Sequence, residues 1–318
     1  MRVLIPIPVR TSAEDYLRER GYEVVSNTPD NKEWLCQHIG EFDAAIIRGT
    51  RITREILEAG KPRLKLICRH GIGCDNVDVE AATELGIQVT FTPQASIHAV
   101  AEHTMALILA LAKELPVGSR MVKEGKWIDF RKNYTGVELM SSTLGLIGVG
   151  RIGTLVAQAA ANGFNMRVIA YDPYASPEKT NPCITLLDSR EAVLSEADFV
   201  SIHTPLTPET KNSVNKDFFN CMKQGAFLVN TSRGEVVNEN DLIEALKSKK
   251  LRGAALDVFC NEPLPKDNPF REFENVICSA HFATITEATL ERLARDSAIS
   301  VDEVLSGRSI SWPVNHLN

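Results

Sequence analysis

The sequence predicts an α/β protein of two domains, each built on a doubly wound parallel sheet. Three observations carry this expectation. Short apolar runs alternate with helical stretches along most of the chain. Near its middle, Leu144-Gly145-Leu146-Ile147 leads into Gly148, Gly150 and Gly153 at glycine-x-glycine-x-x-glycine spacing, and Thr154 to Ala161 continue as a small-residue helix. The 318 residues also exceed what one core usually holds.

Up to about residue 97, the runs Val3 to Ile7, Ala44 to Ile47, Leu64 to Cys68 and Ile87 to Phe91 read as strands, with Ala13 to Arg20 as a helix. Two loops at strand ends are chemically unusual, because open α/β sheets bind ligands at the carboxyl ends of their strands. Arg48-Gly49-Thr50-Arg51 follows Ile47, and Arg69 to Asn76 follows Cys68. Gly71 and Gly73 leave backbone N–H groups available to an anion. Arg48 and Arg51 read equally as anion ligands or as solvated loop charges.

Ala99 to Leu111 is apolar nearly all round and reads as a buried helix entering the second domain, with His103 structural rather than catalytic. Lys113 to Met140, polar and weakly periodic and carrying Trp127, Phe130 and Tyr134, reads as an arm suited to cover a partner subunit, so a homodimer is expected. Strands then recur at Phe199 to His203, Ala226 to Asn230, Gly253 to Asp257 and Val276 to Ser279, with a helix over Asn240 to Lys249. Thr284-Ile285-Thr286-Glu287 reads as a capping box. The helix it opens has apolar residues at Leu290, Leu293, Ala294, Ala298, Val301 and Leu305, a one-sided stripe expected to pack on the first domain. That makes the substrate domain discontinuous, residues 1–97 with 285–318, around a dinucleotide domain of residues 98–284. No internal repeat is present.

Composition narrows the function. With 44% hydrophobic residues and a net charge of -6, neither a nucleic-acid nor a membrane partner is suggested. The apolar run at the N-terminus is too short and too interrupted by Pro6 and Pro8 for a signal peptide, so a cytoplasmic location is expected. Seven cysteines, an odd number without paired metal-ligand spacing, read as reduced thiols, and no metal is expected.

The glycine spacing has a physical purpose. The first glycine permits the turn, the second lets a pyrophosphate approach the backbone, and the third lets the helix lie close to the strand. About 20 residues on, Asp172 ends the strand Met166 to Tyr171, where an acid accepts hydrogen bonds from ribose hydroxyls. Pro173, Tyr174 and Ala175 supply no cation for a 2′-phosphate, which selects NAD over NADP. Three further strand ends present Arg233, Glu262 and His281. Reduction of a 2-oxo acid requires a cation for the carboxylate and carbonyl, a proton donor, and a group that holds the donor in its charged form. Arginine, histidine and glutamate are the matching types.

With these motifs in view, the sequence closely resembles the D-isomer-specific 2-hydroxyacid dehydrogenase family over nearly its whole length. The likeness rests on Gly148 to Gly153, His203-Thr204-Pro205-Leu206-Thr207, Val229 to Gly234, Ala255 to Phe259 with Glu262-Pro263, and His281, and it extends to Arg69 to Asn76 and Thr92 to Glu102. It implies two Rossmann-like or flavodoxin-like domains with an active-site cleft between them, closing on hinges near Ser96 and Ala283. It further implies Arg233, Glu262 and His281 as the catalytic set, with the backbone of Ile72 and Gly73 holding the substrate carboxylate. Asp257 would contact the nicotinamide carboxamide, while His203, Thr204, Thr231 and the backbone of Arg151 and Ile152 would line the NAD site. His70 has no assigned role.

The resemblance implies a small 2-hydroxy or 2-oxo acid as the substrate. Arg48 to Arg51 and Asp75 to Asp78 resemble the phosphoglycerate dehydrogenase branch, where an arginine of the first loop helps hold the substrate; here that residue is Arg48. The chain ends at Asn318 without the regulatory extension many of those enzymes carry. Small hydroxypyruvate or glyoxylate reductases share the motifs. A second class is a NAD(H)-sensing regulatory protein, similar to the corepressors of the superfamily, which would bind NADH and turn it over slowly.

Overall fold

The computed structural model describes residues 1–317, so the last residue of the C-terminal segment lies outside the described residues. The chain divides into two compact units, Met1–Ser96 with Thr284–Asn318, and Ile97–Ala283.

The first unit runs β1 (Arg2–Ile5), α1 (Thr11–Glu19), β2 (Glu23–Ser26), α2 (Lys32–His38), β3 (Ala44–Ile47), α3 (Arg54–Gly60), β4 (Leu66–Arg69), α4 (Val79–Glu84) and β5 (Gln88–Phe91). All pairings are parallel, in the order β2-β1-β3-β4-β5 among the described residues. That is the flavodoxin-like winding. Every residue of β3 is buried, as expected for a strand covered on both faces.

The second unit holds α5 (Ile97–Ala112), α6 (Leu115–Lys123), α7 (Trp127–Asn133), β6 (Thr143–Ile147), α8 (Arg151–Gln158), β7 (Arg167–Tyr171), β8 (Thr185–Leu186), α9 (Arg190–Glu196), β9 (Phe199–Ile202), α10 (Lys216–Cys221), β10 (Ala226–Asn230), α11 (Glu239–Lys247), β11 (Leu251–Leu256) and β12 (Val276–Cys278). Its parallel sheet has the order β12-β11-β10-β9-β6-β7-β8. Six of these strands follow the dinucleotide-binding winding, β12 extends one edge, and the order reverses between β6 and β9. Helices on both faces build two cores, one around Phe218, Phe219 and Phe270, the other around Ile108, Val156 and the stacked Phe199–Phe227 pair.

The C-terminal helix α12 (Glu287–Leu305) belongs to the first unit. Leu293, Ala294, Ala298, Val301 and Leu305 are buried, and the last four share a cluster with Val3, Ile5, Leu17 and Leu66. Beyond it the chain pairs with β5, Val314 N–H donating to Val89 O, and covers an otherwise open sheet edge.

Several local expectations are corrected. The cap of α12 lies later than the capping-box pattern predicts: Thr286 is the N-cap and its side chain accepts from Thr289 N–H, so Thr284 caps nothing. The 113–140 arm contains two helices, α6 and α7, whose seven- to nine-residue lengths are too short for a clear period. The strands β2 and β8 carry few apolar residues or span only two, and gave no pattern to read.

Candidate functional site

The glycine loop follows β6 at the point where the sheet order reverses. Gly148 has φ +98°, and a Cβ there would lie 2.8 Å from His203 O; a Cβ on Gly153 would lie 2.5 Å from Gly148 O. Both positions therefore need glycine. Gly150 differs, because a Cβ would meet nothing within 4 Å. It caps α8 and borders a cleft of about 650 Å³ with Val149, Thr154 and Asp172. Asp172 is fixed by its own loop, accepting from Val149 N–H and Tyr174 N–H, both at 2.9 Å. Each oxygen retains lone-pair capacity on the cleft side. Thr204 Oγ1 is buried without a partner among the described residues. Open space above the glycine turn, a fixed carboxylate at its mouth and an orphaned hydroxyl form a cradle that fits a dinucleotide.

Burial lowers the pKa of His203 to about 4, so its ring is neutral at physiological pH. Nε2 meets Ser201 Oγ at 2.9 Å. The contact His203 makes with the glycine loop is through its backbone. Thr231 Oγ1 lies 2.9 Å from Thr104 Oγ1. Arg151 and Ile152 form the first turn of α8, where backbone N–H groups have no intrahelical partner.

Arg233, Glu262 and His281 follow three adjacent strands, β10, β11 and β12, at their carboxyl ends. Neighbouring strands lie about 4.8 Å apart, so the topology alone brings these loops together. The Arg233 loop is bracketed by Asn230, buried at the end of β10: its Nδ2 donates to Arg233 O and its Oδ1 accepts from Ser232 N–H and Oγ. Gly234 then lies against the next loop so closely that a Cβ would sit 1.9 Å from the Phe259 carbonyl carbon. Glu262 accepts from Phe259 N–H at 3.0 Å through Oε1 and from His281 Nδ1 at 2.8 Å through Oε2. Burial alone would raise the Glu262 pKa, but the bonds from His281 and Phe259 outweigh it and hold the carboxyl below its ordinary value. The carboxylate thus keeps a proton on Nδ1 and leaves Nε2 of a partly exposed imidazole as the group that exchanges one.

Asp257 is tied to the segment that follows β12. Its side chain is 1% exposed, and its oxygens accept from Ser279 Oγ (2.6 Å), Phe282 N–H (2.8 Å) and Ala283 N–H (3.0 Å), with His103 Nε2 at 3.3 Å. It anchors the segment bearing His281, and Oδ2, which accepts from Ala283 N–H, keeps a further lone pair.

In the first unit, the loops after β3 and β4 are joined by Asn76, whose Nδ2 donates to Arg48 O and Thr50 O. Gly71 has φ +149° and packs on the Arg69 guanidinium, and its carbonyl accepts from Thr92 N–H. Arg69 Nε donates to Gly73 O at 2.8 Å. With these carbonyls turned inward, the N–H groups of Ile72 and Gly73 make no hydrogen bond among the described residues. Arg48 is half-buried and donates to Pro8 O at 3.5 Å; Arg51 is exposed. His70 is a core residue, its Nδ1 3.0 Å from Ser297 Oγ and its pKa lowered to about 3 by burial first and by Arg48 and Arg69 second.

Asn230, Ser279 and His103 were not singled out as site residues by sequence. Asn230 could have been, as the polar end of an otherwise apolar strand. His103 and Asp257 are distant in the chain, and no local pattern joins them.

Residues 105–283 match the model of the D-isomer specific 2-hydroxyacid dehydrogenase NAD-binding domain. Across its whole length the chain is 41% identical to D-3-phosphoglycerate dehydrogenase of Methanocaldococcus jannaschii, of which it spans 60%. Among solved structures, a Thermus thermophilus protein is similar with a TM-score of 0.92 at 38% identity, covering 99% of this chain and 100% of that one. The NAD complex of NAD-dependent formate dehydrogenase from Staphylococcus aureus gives a TM-score of 0.89 at 31% identity with full coverage of both chains. The chain therefore belongs to the D-isomer specific 2-hydroxyacid dehydrogenase family, with NAD as the cofactor of its second unit.

Proposed function

We propose that the protein interconverts a D-2-hydroxy acid and its 2-oxo acid, with Arg233, Glu262 and His281 as the catalytic set. The observation that carries this reading is the 2.8 Å Glu262–His281 pair, set one strand from the Arg233 loop at the carboxyl edge of the sheet. Gly148, Gly150, Gly153, Asp172, Thr204 and the first turn of α8 would hold the dinucleotide, which when bound supplies or accepts the hydride. Arg233 presents a planar fork that holds the substrate carboxylate and polarises the carbonyl. In reduction, His281 donates the Nε2 proton to the carbonyl oxygen while Glu262 stabilises the imidazolium. In oxidation, neutral His281 takes that proton from the hydroxyl, so the two directions have opposite pH preferences.

The substrate is an acid of the size of 3-phosphoglycerate or hydroxypyruvate. The name of the Methanocaldococcus relative supports the phosphorylated acid, as do Arg48, Arg51 and the N–H groups of Ile72 and Gly73 in the first unit, since a phosphate dianion uses additional cations. Among the described residues no helix is long and apolar enough to cross a membrane. All seven cysteines are free, which fits a reducing cytoplasm. Exposed Leu115, Val122, Trp127, Ile128 and Met140 on the arm support a homodimer.

The test is NADH oxidation across 3-phosphohydroxypyruvate, hydroxypyruvate, glyoxylate, pyruvate, a branched 2-oxo acid and oxaloacetate. One acid is expected to turn over fast, with His281→Ala slower by about 100- to 10,000-fold. Tight NADH binding without turnover of any of them would replace this reading by a cofactor sensor.

A further inference from the structure

Behind the Glu262–His281 pair lies a second acid–histidine pair. Asp257 is among the most deeply buried carboxylates of the second unit, and His103 is the cationisable side chain bonded to it. Burial would raise the Asp257 pKa, yet the bonds from His103, Ser279 and the N–H groups of Phe282 and Ala283 hold it low, so the group is a carboxylate. The proton arrangement follows from the donors available. Ser279 has one hydroxyl proton, and at 2.6 Å it is committed to Asp257 Oδ1. His103 Nε2, 3.2 Å from Ser279 Oγ and 3.3 Å from Asp257 Oδ1, faces only lone pairs and must carry a hydrogen.

The pair links parts far apart in sequence. His103 lies on α5, Asp257 follows β11, and Ser279 to Ala283 follow β12, with His281 N–H also bonded to Asp257 O at 2.8 Å. The next residue of α5 repeats the arrangement: Thr104 Oγ1 donates to Val100 O, so Thr231 must donate to Thr104, tying α5 to the loop after β10 as well. One turn of α5 thus reaches all three loops that carry Arg233, Glu262 and His281.

We infer that His103 is a positioning residue for the dehydrogenase reaction: its Nε2–H holds the Asp257 carboxylate and Ser279, and through them the left-handed segment that aims His281. As a role in catalysis this rests on the proposed reaction; as a mechanical tie it does not, and the experiment separates the two.

Amide hydrogen exchange of the ligand-free protein is measured beside steady-state kinetics for His103→Ala and His103→Gln. The alanine variant is expected to raise exchange at His281, Phe282 and Ala283 by at least about 10-fold while distant amides of the same unit stay near wild type. Its kcat falls by at least about 10-fold with KM for the oxo acid nearly unchanged, the signature of a lost alignment rather than lost binding. Glutamine, whose Nε2–H reaches the same acceptors, restores most of both. Unchanged exchange in His103→Ala, faster exchange without loss of kcat, or a glutamine variant no better than alanine would each overturn the inference. Should His103→Ala not fold, Ser279→Ala is measured at the same amides, with faster exchange supporting the tie and unchanged exchange overturning it. A protein that turns over no oxo acid yet shows the exchange pattern loses the proposed reaction and keeps the tie.

Discussion

His281 sits at φ +50°, a left-handed conformation that a non-glycine residue adopts only where its surroundings dictate it. The dictating contacts are on both sides: its N–H bonds Asp257 O, the next two N–H groups bond the Asp257 carboxylate, and its ring bonds Glu262. Glu262→Gln removes the charge: its one amide oxygen can still accept from Nδ1–H, at the loss of the bond from Phe259 N–H, but it cannot stabilise an imidazolium. We expect the variant to reduce oxo acid more slowly by about 10- to 100-fold, with the high-pH limb of reduction moved to lower pH as the imidazolium loses its anionic partner. Glu262 itself titrates below its ordinary value, so its contribution is complete at neutral pH and fades only as pH falls through that depressed value. A pH–rate profile of kcat/KM for both proteins checks this; superimposable profiles would exclude Glu262 from the reaction. The chemical residue types at these positions were legible in the sequence, since histidine, arginine and glutamate at three successive strand ends have few common explanations. The Asp257 bonds were not, because a strand-end aspartate reads the same whether it faces a cofactor or the backbone behind it.

Element boundaries show a similar division. The alternation of apolar runs located β3, β6, β9, β10 and β11 to within a residue or two, because central parallel strands are covered on both faces and must be apolar throughout. Helix starts depend on one side chain, and there the local pattern misleads: Thr284 and Thr286 both stand before α12, and only the backbone path chooses Thr286. Thr286→Ala is expected to cost about 1 kcal/mol in the first unit and Thr284→Ala close to nothing, readable as denaturant midpoints. Equal losses would return the cap to Thr284. The arm is the second case. Trp127 is 55% and Ile128 60% exposed on α7, more apolar surface than a short surface helix needs. Ile128→Glu together with Trp127→Glu is expected to convert the proposed homodimer into monomers in sedimentation velocity, and an unchanged sedimentation coefficient would remove the arm from the proposed interface.

Across the molecule, two desolvated histidines couple stability to pH. His70 in the first unit and His203 in the second are held neutral by burial, with pKa values near 3 and 4 against an ordinary 6.5. Between those values and about pH 6.5 the unfolded chain binds protons that the folded units do not. The contribution of these two residues to stability is therefore full above about pH 6.5 and declines as pH falls below it. Denaturant midpoints from about pH 7.5 to about pH 4.5 should show this decline, and His70→Gln should flatten it for the first unit; an equally steep decline in that variant would acquit His70. The sequence by itself determined the α/β class, the parallel character of the strands, the dinucleotide turn and the residue types of the site, because each follows from periodicity or from the steric demands of a few adjacent residues. The tertiary structure alone decided what those residues do to one another: that Asp257 binds the segment bearing His281, that His70 is core, and that one turn of α5 bonds the loops carrying Arg233, Glu262 and His281. Those facts depend on contacts between positions up to 227 apart, as in His70 with Ser297, and such contacts leave no trace in local pattern.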